Sequence, residues 1–172
     1  MEKSNKPKID HKINPFLWFD TQAEDAVKFY ASVFKNSKIG TISRYGDAGP
    51  GPKGSVMTAS INIEGIEFVA LNAGPLFKFN ESISFVINCE DQAEVDYYWE
   101  KLTAGGEESM CGWLKDKFGL SWQVTPVRLI ELVSNKDPQK ANRAMQAMMK
   151  MRKIDIATIE RAAEGKEAVV NR

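Results

Sequence analysis

Few side chains in this chain are able to carry chemistry. The one histidine, His11, lies in the polar stretch MEKSNKPKIDHK, where a solvated imidazole is the expectation. A serine or cysteine nucleophile needs a base within hydrogen-bond reach, so every candidate depends on His11 for activation and a Ser-His or Cys-His pair is not expected. Cys89 and Cys111 lack the spacing of a metal knuckle or redox pair and read as buried thiols. Among carboxylates, Glu67 can share the inner face of its strand with Val69, and Asp116 stands near a pocket rim, positions suited to proton transfer. A surface carboxylate is the commoner fate of both. Gly49-Pro50-Gly51-Pro52-Lys53-Gly54 has the spelling of a dinucleotide loop, but that chemistry needs a helix N-terminus after the glycines. Two prolines and a β-patterned segment stand there instead. The stretch reads as a mobile hairpin loop flanking a pocket mouth, and no S-adenosylmethionine site of the Rossmann type is expected.

What remains is a neutral set. In Ile13 to Phe19, residues alternate, so that if Leu17 and Phe19 face a helix, Asn14, Phe16 and Trp18 face the other way. The same alternation later puts Ser82, Ser84, Val86, Ser121 and Gln123 on that opposite face. Together these eight form an aromatic and apolar lining with neutral hydrogen-bonding groups, as a small-molecule pocket requires. The plainer reading is that they fill a small barrel core. Trp99 falls on a helix as core, and Trp113 suits either face.

These positions belong to a repeated unit. Asp20 or Thr21 can cap a helix whose stripe is Ala23, Ala26, Val27, Tyr30, Val33 and Phe34. Ser82 to Ile87 followed by Gln92-Ala93-Glu94 echoes Asn14 to Phe19 followed by Gln22-Ala23-Glu24, the strand words 68 residues apart and the helix words 70. Two packed copies of one unit are implied. Strands are expected over Ser37 to Tyr45, Val56 to Ile63 and Ile66 to Asn72, the last two joined at Glu64-Gly65. The second copy has a helix from Asp91 to Leu102 and strands over Glu108 to Leu114 and Leu120 to Val124, turning at Asp116 to Gly119. It is one strand short, through a missed edge strand or a loop in its place. A short apolar turn covers Val127 to Val133. Asp137-Pro138 and Asp155 then open two helices, and Met145, Met148, Met149 and Met151 are expected in the core or at a subunit interface. The fold class is α+β: a flexible leader (1–12), a first module (13–75), a second (76–126) and a C-terminal helical extension (127–172), all in one structural domain.

The 172 residues are enough for a real core. Twenty-three basic residues balance 23 acidic ones, so overall charge attracts neither nucleic acid nor membrane. No run reaches the roughly 20 apolar residues of a membrane helix, no apolar leader precedes Ile13, and two thiols suit the cytoplasm.

The words PFLWFD with AVKFY, ISFVINCEDQAEVD, LTAGGE, DKFGLSWQV and MKMRKIDIATIERA resemble the vicinal oxygen chelate superfamily, which unites glyoxalase, bleomycin resistance and dioxygenase proteins. More narrowly they resemble its PhnB-like branch, often labelled demethylubiquinone methyltransferase-like. The resemblance implies paired βαβββ modules forming a curled mixed sheet around a cavity, commonly in a homodimer. Metal-using members carry His, Gln or Glu ligands on the first and last strands of each module. Carried onto this chain, those positions hold Asn14, Val69, Ser82 and Gln123, of which only Gln123 is an accustomed ligand, so no divalent cofactor is expected. Three readings follow: a dimeric small-molecule-binding protein, a lyase, isomerase or dioxygenase with an unconventional or absent metal, and a structural or regulatory dimer with a vestigial pocket.

Overall fold

The computed structural model describes residues 12–166. His11 and the rest of the polar leader up to it lie outside the described residues. The chain divides into two compact units, with described residues 12–78 and 79–166. Each is built on the same plan, in keeping with the α+β class of paired modules.

The first unit runs β1 (Phe16–Phe19), α1 (Ala23–Val33), β2 (Ser37–Arg44), β3 (Val56–Ile63) and β4 (Ile66–Asn72). Its sheet has the order β1-β4-β3-β2, with β1 parallel to β4 and the other pairs antiparallel. Alternation decides what faces α1: Leu17, Phe19, Ala59, Ile61, Ile63, Phe68 and Ala70 are buried, as is the whole expected stripe from Ala23 to Phe34. The β3–β4 hairpin turns at Glu64 (φ 51°) and Gly65 (φ 83°), two successive left-handed residues that match the twist of the strands. The start of α1 differs from expectation. Neither Asp20 nor Thr21 caps it; Gln22 holds the cap position without a side-chain bond to the helix, and the Ala23 N–H donates to Asn72 Oδ1 at 2.8 Å. A buried amide on β4 therefore satisfies the first turn and ties helix to sheet.

The second unit repeats this with β5 (Phe85–Cys89), α2 (Gln92–Thr103), β6 (Glu107–Glu108), β7 (Trp113–Lys115) and β8 (Ser121–Pro126) in the order β5-β8-β7-β6. Asp91 caps α2 by accepting the Glu94 N–H at 2.9 Å, and the Glu94 carboxylate accepts the Glu90 N–H at 2.8 Å. The single strand expected over Glu108 to Leu114 is in fact two, and β6 is the missing edge strand. Between them Cys111 (φ 61°) and Gly112 (φ 83°) are left-handed, and their N–H groups donate to the carbonyls of Met151 and Arg152, both at 2.7 Å. The ladder breaks there because the backbone bonds to the C-terminal extension instead.

That extension is α3 (Val127–Val133), α4 (Pro138–Met148) and α5 (Ile156–Ala163), so the short apolar turn is a helix. Asp137 and Asp155 cap α4 and α5 as expected. Leu129, Leu132, Ala144, Ile154, Ile159 and Ala163 form its core, and Gln92 on α2 bonds both Ile154 O and the Ile156 N–H. The methionines divide: Met148 and Met151 pack on this core, while Met145 and Met149 are exposed. Among the described residues, no helix is long and apolar enough to cross a membrane.

Candidate functional site

Each sheet buries one face under a helix and leaves the other open. On the first unit's open face, register sets Ser43, Thr58, Leu71 and Trp18 in one cross-strand row and Ser60, Val69 and Phe16 in the next. Trp18 is fixed by an Nε1–H bond to the Gly74 carbonyl at 2.9 Å and an edge contact with Phe77, centroids 4.9 Å apart. Phe16 is 60% exposed, whereas Leu17 and Phe19 are buried, so the alternation expected of β1 holds. Asn14 Nδ2 donates to Glu67 Oε2 at 2.9 Å, and the Ser43 and Thr58 hydroxyls share a hydrogen bond. The face is thus aromatic at one edge and neutrally polar at the other, with the Glu67 carboxylate in the row beyond, opposite Asn62.

The second unit's open face pairs Val86 with Gln123 and Gln123 with Trp113, while Ser121 lies opposite Lys115. Gln123 Nε2 donates to Ser84 Oγ at 2.8 Å. Ser82 is elsewhere engaged: its N–H and hydroxyl both bond Asn80 Oδ1 ahead of β5. The eight residues expected to line one pocket therefore fall as Asn14, Phe16 and Trp18 on the first unit and Ser82, Ser84, Val86, Ser121 and Gln123 on the second.

Strand pairing also resets the correspondence of the two copies. Phe16 pairs with Val69 and Val86 with Gln123. Gln123 stands 54 residues beyond Val69, the spacing of Gly119 from Gly65, and Val86 stands 70 beyond Phe16. The strands thus share the helices' offset of 70, and Ser84, not Ser82, is the counterpart of Asn14. The two-residue difference between the offsets of 68 and 70 therefore falls before β5.

These positions do not fit a divalent ion. Asn14, Ser82 and Gln123 offer only neutral oxygens, Val69 has no donor atom, and Glu67 is the one carboxylate bonded to any of them, through Asn14 Nδ2. Among the described residues, no group of three or more His, Cys, Asp or Glu is placed to hold a metal. A site with one charged ligand would bind Zn²⁺ or Fe²⁺ weakly.

Other expectations change. Asp116 is no rim or surface carboxylate: it is 2% exposed, and accepts the N–H groups of Phe118 and Leu120 and the indole N–H of Trp122. The Asp-x-x-Gly turn folds around it. Trp99 is buried as expected and donates to Glu108. Cys89 is fully buried, and desolvation, aided by Glu94 and Asp91, pushes its thiol up to about 12. Cys111 is only partly buried, with Sγ 3.7 Å from Met149 Sδ. The Gly49 to Gly54 loop folds on the Tyr45 ring, where a Cβ at Gly49 or Gly51 would meet ring atoms at 2.4 Å. With Asp20, Glu24 and Asn72 it walls a cavity of about 420 Å³ that none of Asn14, Phe16 or Trp18 lines. Sequence reasoning missed Ser43, Thr58, Ser60 and Lys115 as open-face groups, although their alternation with buried residues was available to find them.

Two four-stranded mixed sheets of identical βαβββ topology, each open on one face, define a protein of the vicinal oxygen chelate class, in its PhnB-like branch. A model of the 3-demethylubiquinone-9 3-methyltransferase family matches residues 11–125, and the chain belongs to that family. It is 37% identical to the PhnB protein from Bacillus cereus, over 68% of this chain and 100% of that one, with a TM-score of 0.63. Protein PA1353 from Pseudomonas aeruginosa shares the fold at 22% identity and a TM-score of 0.58, over 68% of this chain and 98% of that one. A search of curated proteins gives no match. Helices α3 to α5 begin after the family match ends.

Proposed function

We propose that the protein binds a small, partly aromatic or amphipathic molecule on the open sheet faces, through shape and neutral hydrogen bonds, without a divalent metal. The observation that carries this reading is Phe16, 60% exposed beside a Trp18 ring that the Gly74 carbonyl and Phe77 hold in place. Anchored aromatic surface next to amide and hydroxyl groups is the makeup of small-molecule sites. The methyl transfer in the family's name gains no support from the glycine-rich loop, which runs from β2 into β3 and presents no helix N-terminus to a nucleotide. A metal-independent lyase or isomerase is the second reading, favoured by Glu67, a carboxylate oriented by Asn14 on the same face. A homodimer and a cytoplasmic location complete the proposal, the latter in keeping with two free cysteines.

A thermal-shift screen of aromatic and amphipathic compounds tests it. A ligand at 100 times its Kd adds about 2.7 kcal/mol of stability, and Trp18→Ala should lower that ligand's affinity at unchanged oligomeric mass. No shift across a broad library would point to a structural dimer with a vestigial pocket, and a hit unaffected by Trp18→Ala would remove this residue from the site.

A further inference from the structure

On the second unit's open face, the Ser121 hydroxyl is 1% exposed and makes no hydrogen bond. Buried hydroxyls are nearly always paired, and one that is not has lost its water without compensation. Ser121 lines a cavity of about 120 Å³, walled by Glu81, Glu107, Glu108, Trp113 and Lys115. Sites for drug-sized ligands run to about 300–1,000 Å³, so this one holds a group of a few heavy atoms.

Charge decides which group. Three carboxylates face one ammonium, and that ammonium is already committed: Lys115 Nζ lies 2.5 Å from Glu81 Oε1. Their hydrogen bond holds Glu81 below and Lys115 above its ordinary value, so both stay charged at neutral pH. Glu108 accepts the Trp99 indole N–H and stands 3.6 Å from Arg152. Glu107 makes no ion pair among the described residues, and strand register puts it opposite Lys115, which in turn is opposite Ser121. A carboxylate and an unpaired hydroxyl thus stand at the two ends of one cross-strand row, with Lys115 between them held to Glu81 and Trp113 in the neighbouring row.

We propose that this cavity receives a small cation, a primary ammonium or guanidinium group, which donates one N–H to Ser121 Oγ, pairs with Glu107 and lies against Trp113. The inference rests on the reading that the open face binds a small molecule, and it assigns that molecule a cationic end. An anion would face three carboxylates, and a neutral alcohol would leave their excess of charge over the one ammonium unanswered.

The test is a titration of methylguanidinium into the whole isotope-labelled chain at constant ionic strength, followed by amide and indole chemical shifts, with propionate as control. Saturable shifts at Trp113, Lys115 and Ser121 are expected for methylguanidinium alone, with binding about tenfold weaker in both Ser121→Ala and Glu107→Gln, the scale of one charge-assisted hydrogen bond. Ser121→Ala removes an unpaired hydroxyl, so its unfolding midpoint should not fall. Absence of saturation, equal binding by propionate, or unchanged affinity in both variants would overturn the proposal and leave a cavity that holds only water. If screened compounds still bind the open face in that case, the function proposed above survives. If methylguanidinium binds here but no compound in the screen does, the broader reading fails alone.

Discussion

Replacing Asp116 by Asn keeps the shape of one side chain and turns a single acceptor into a donor. Asp116 Oδ1 accepts the N–H groups of Phe118 at 2.9 Å and Leu120 at 3.1 Å, and Oδ2 accepts Trp122 Nε1–H at 2.9 Å. The Asn carbonyl can keep the two backbone bonds, which turns its NH₂ group onto the indole N–H. One charge-assisted bond, worth about 1.5–3 kcal/mol, is lost, and two donors are left facing each other in a buried site. A destabilisation of about 2–4 kcal/mol follows. Trp122→Phe removes the indole donor and keeps an aromatic ring near Phe85, whose centroid is 5.6 Å from that of Trp122. On that background Asp116→Asn should cost about 1–2 kcal/mol less, a coupling a double-mutant cycle measures. Urea unfolding followed by far-UV circular dichroism, with unchanged m-values, is the assay. A cost under about 0.5 kcal/mol, or the same cost on both backgrounds, would refute Asp116 as the organiser of the β7–β8 turn.

Three further outcomes are expected. Native protein at pH 8 should take up one equivalent of iodoacetamide, at Cys111, because Cys89 is buried with its thiol near 12, and denatured protein should take up two; rapid labelling of Cys89 in the fold would contradict this. Met148→Asp should cost about 2–3 kcal/mol in an unfolding titration, since Met148 packs on the Leu129–Ile159 cluster, whereas Met145→Asp should cost under about 0.5; equal costs would place both side chains wrongly. Asp155 caps α5, and its hydrogen bonds from Thr158 hold the carboxyl below its ordinary 3.8. Its contribution is therefore complete above about pH 4 and fades as pH falls through the lowered value. Asp155→Ala should cost about 1 kcal/mol at pH 7 and progressively less in acid, and a penalty independent of pH would argue against the charged cap.

Local features were legible in the sequence, and distant ones were not. The alternation in Val56 to Ile63 and Ile66 to Asn72, with Glu64-Gly65 between, marked both strands and their turn at the observed bounds, and Asp137 and Asp155 announced two helices by cap chemistry. The cap of α1 escaped notice because its acceptor, Asn72, lies 49 residues away. Cys111 and Gly112 broke an apparent strand because backbone partners at Met151 and Arg152 came from the extension, which no local pattern reveals. Asp116 looked like any turn carboxylate until Trp122 was brought to its second oxygen. At the site, the alternation correctly separated Phe16 and Trp18 from Leu17 and Phe19. The two-residue slip that put Ser82 in place of Ser84 came from matching words by composition, where hydrogen-bonded register was needed.

The central claim is that the open sheet faces bind a small molecule by polar and aromatic contacts, with no metal. The most direct measurement is chemical-shift mapping of the strongest hit from the screen, on protein treated with EDTA and dialysed. Saturable changes at Phe16, Val69 and the Trp18 indole, with the same Kd before and after EDTA, are predicted. Binding that disappears with the chelator, or that maps only to the cavity beneath the Gly49 to Gly54 loop, would contradict the claim.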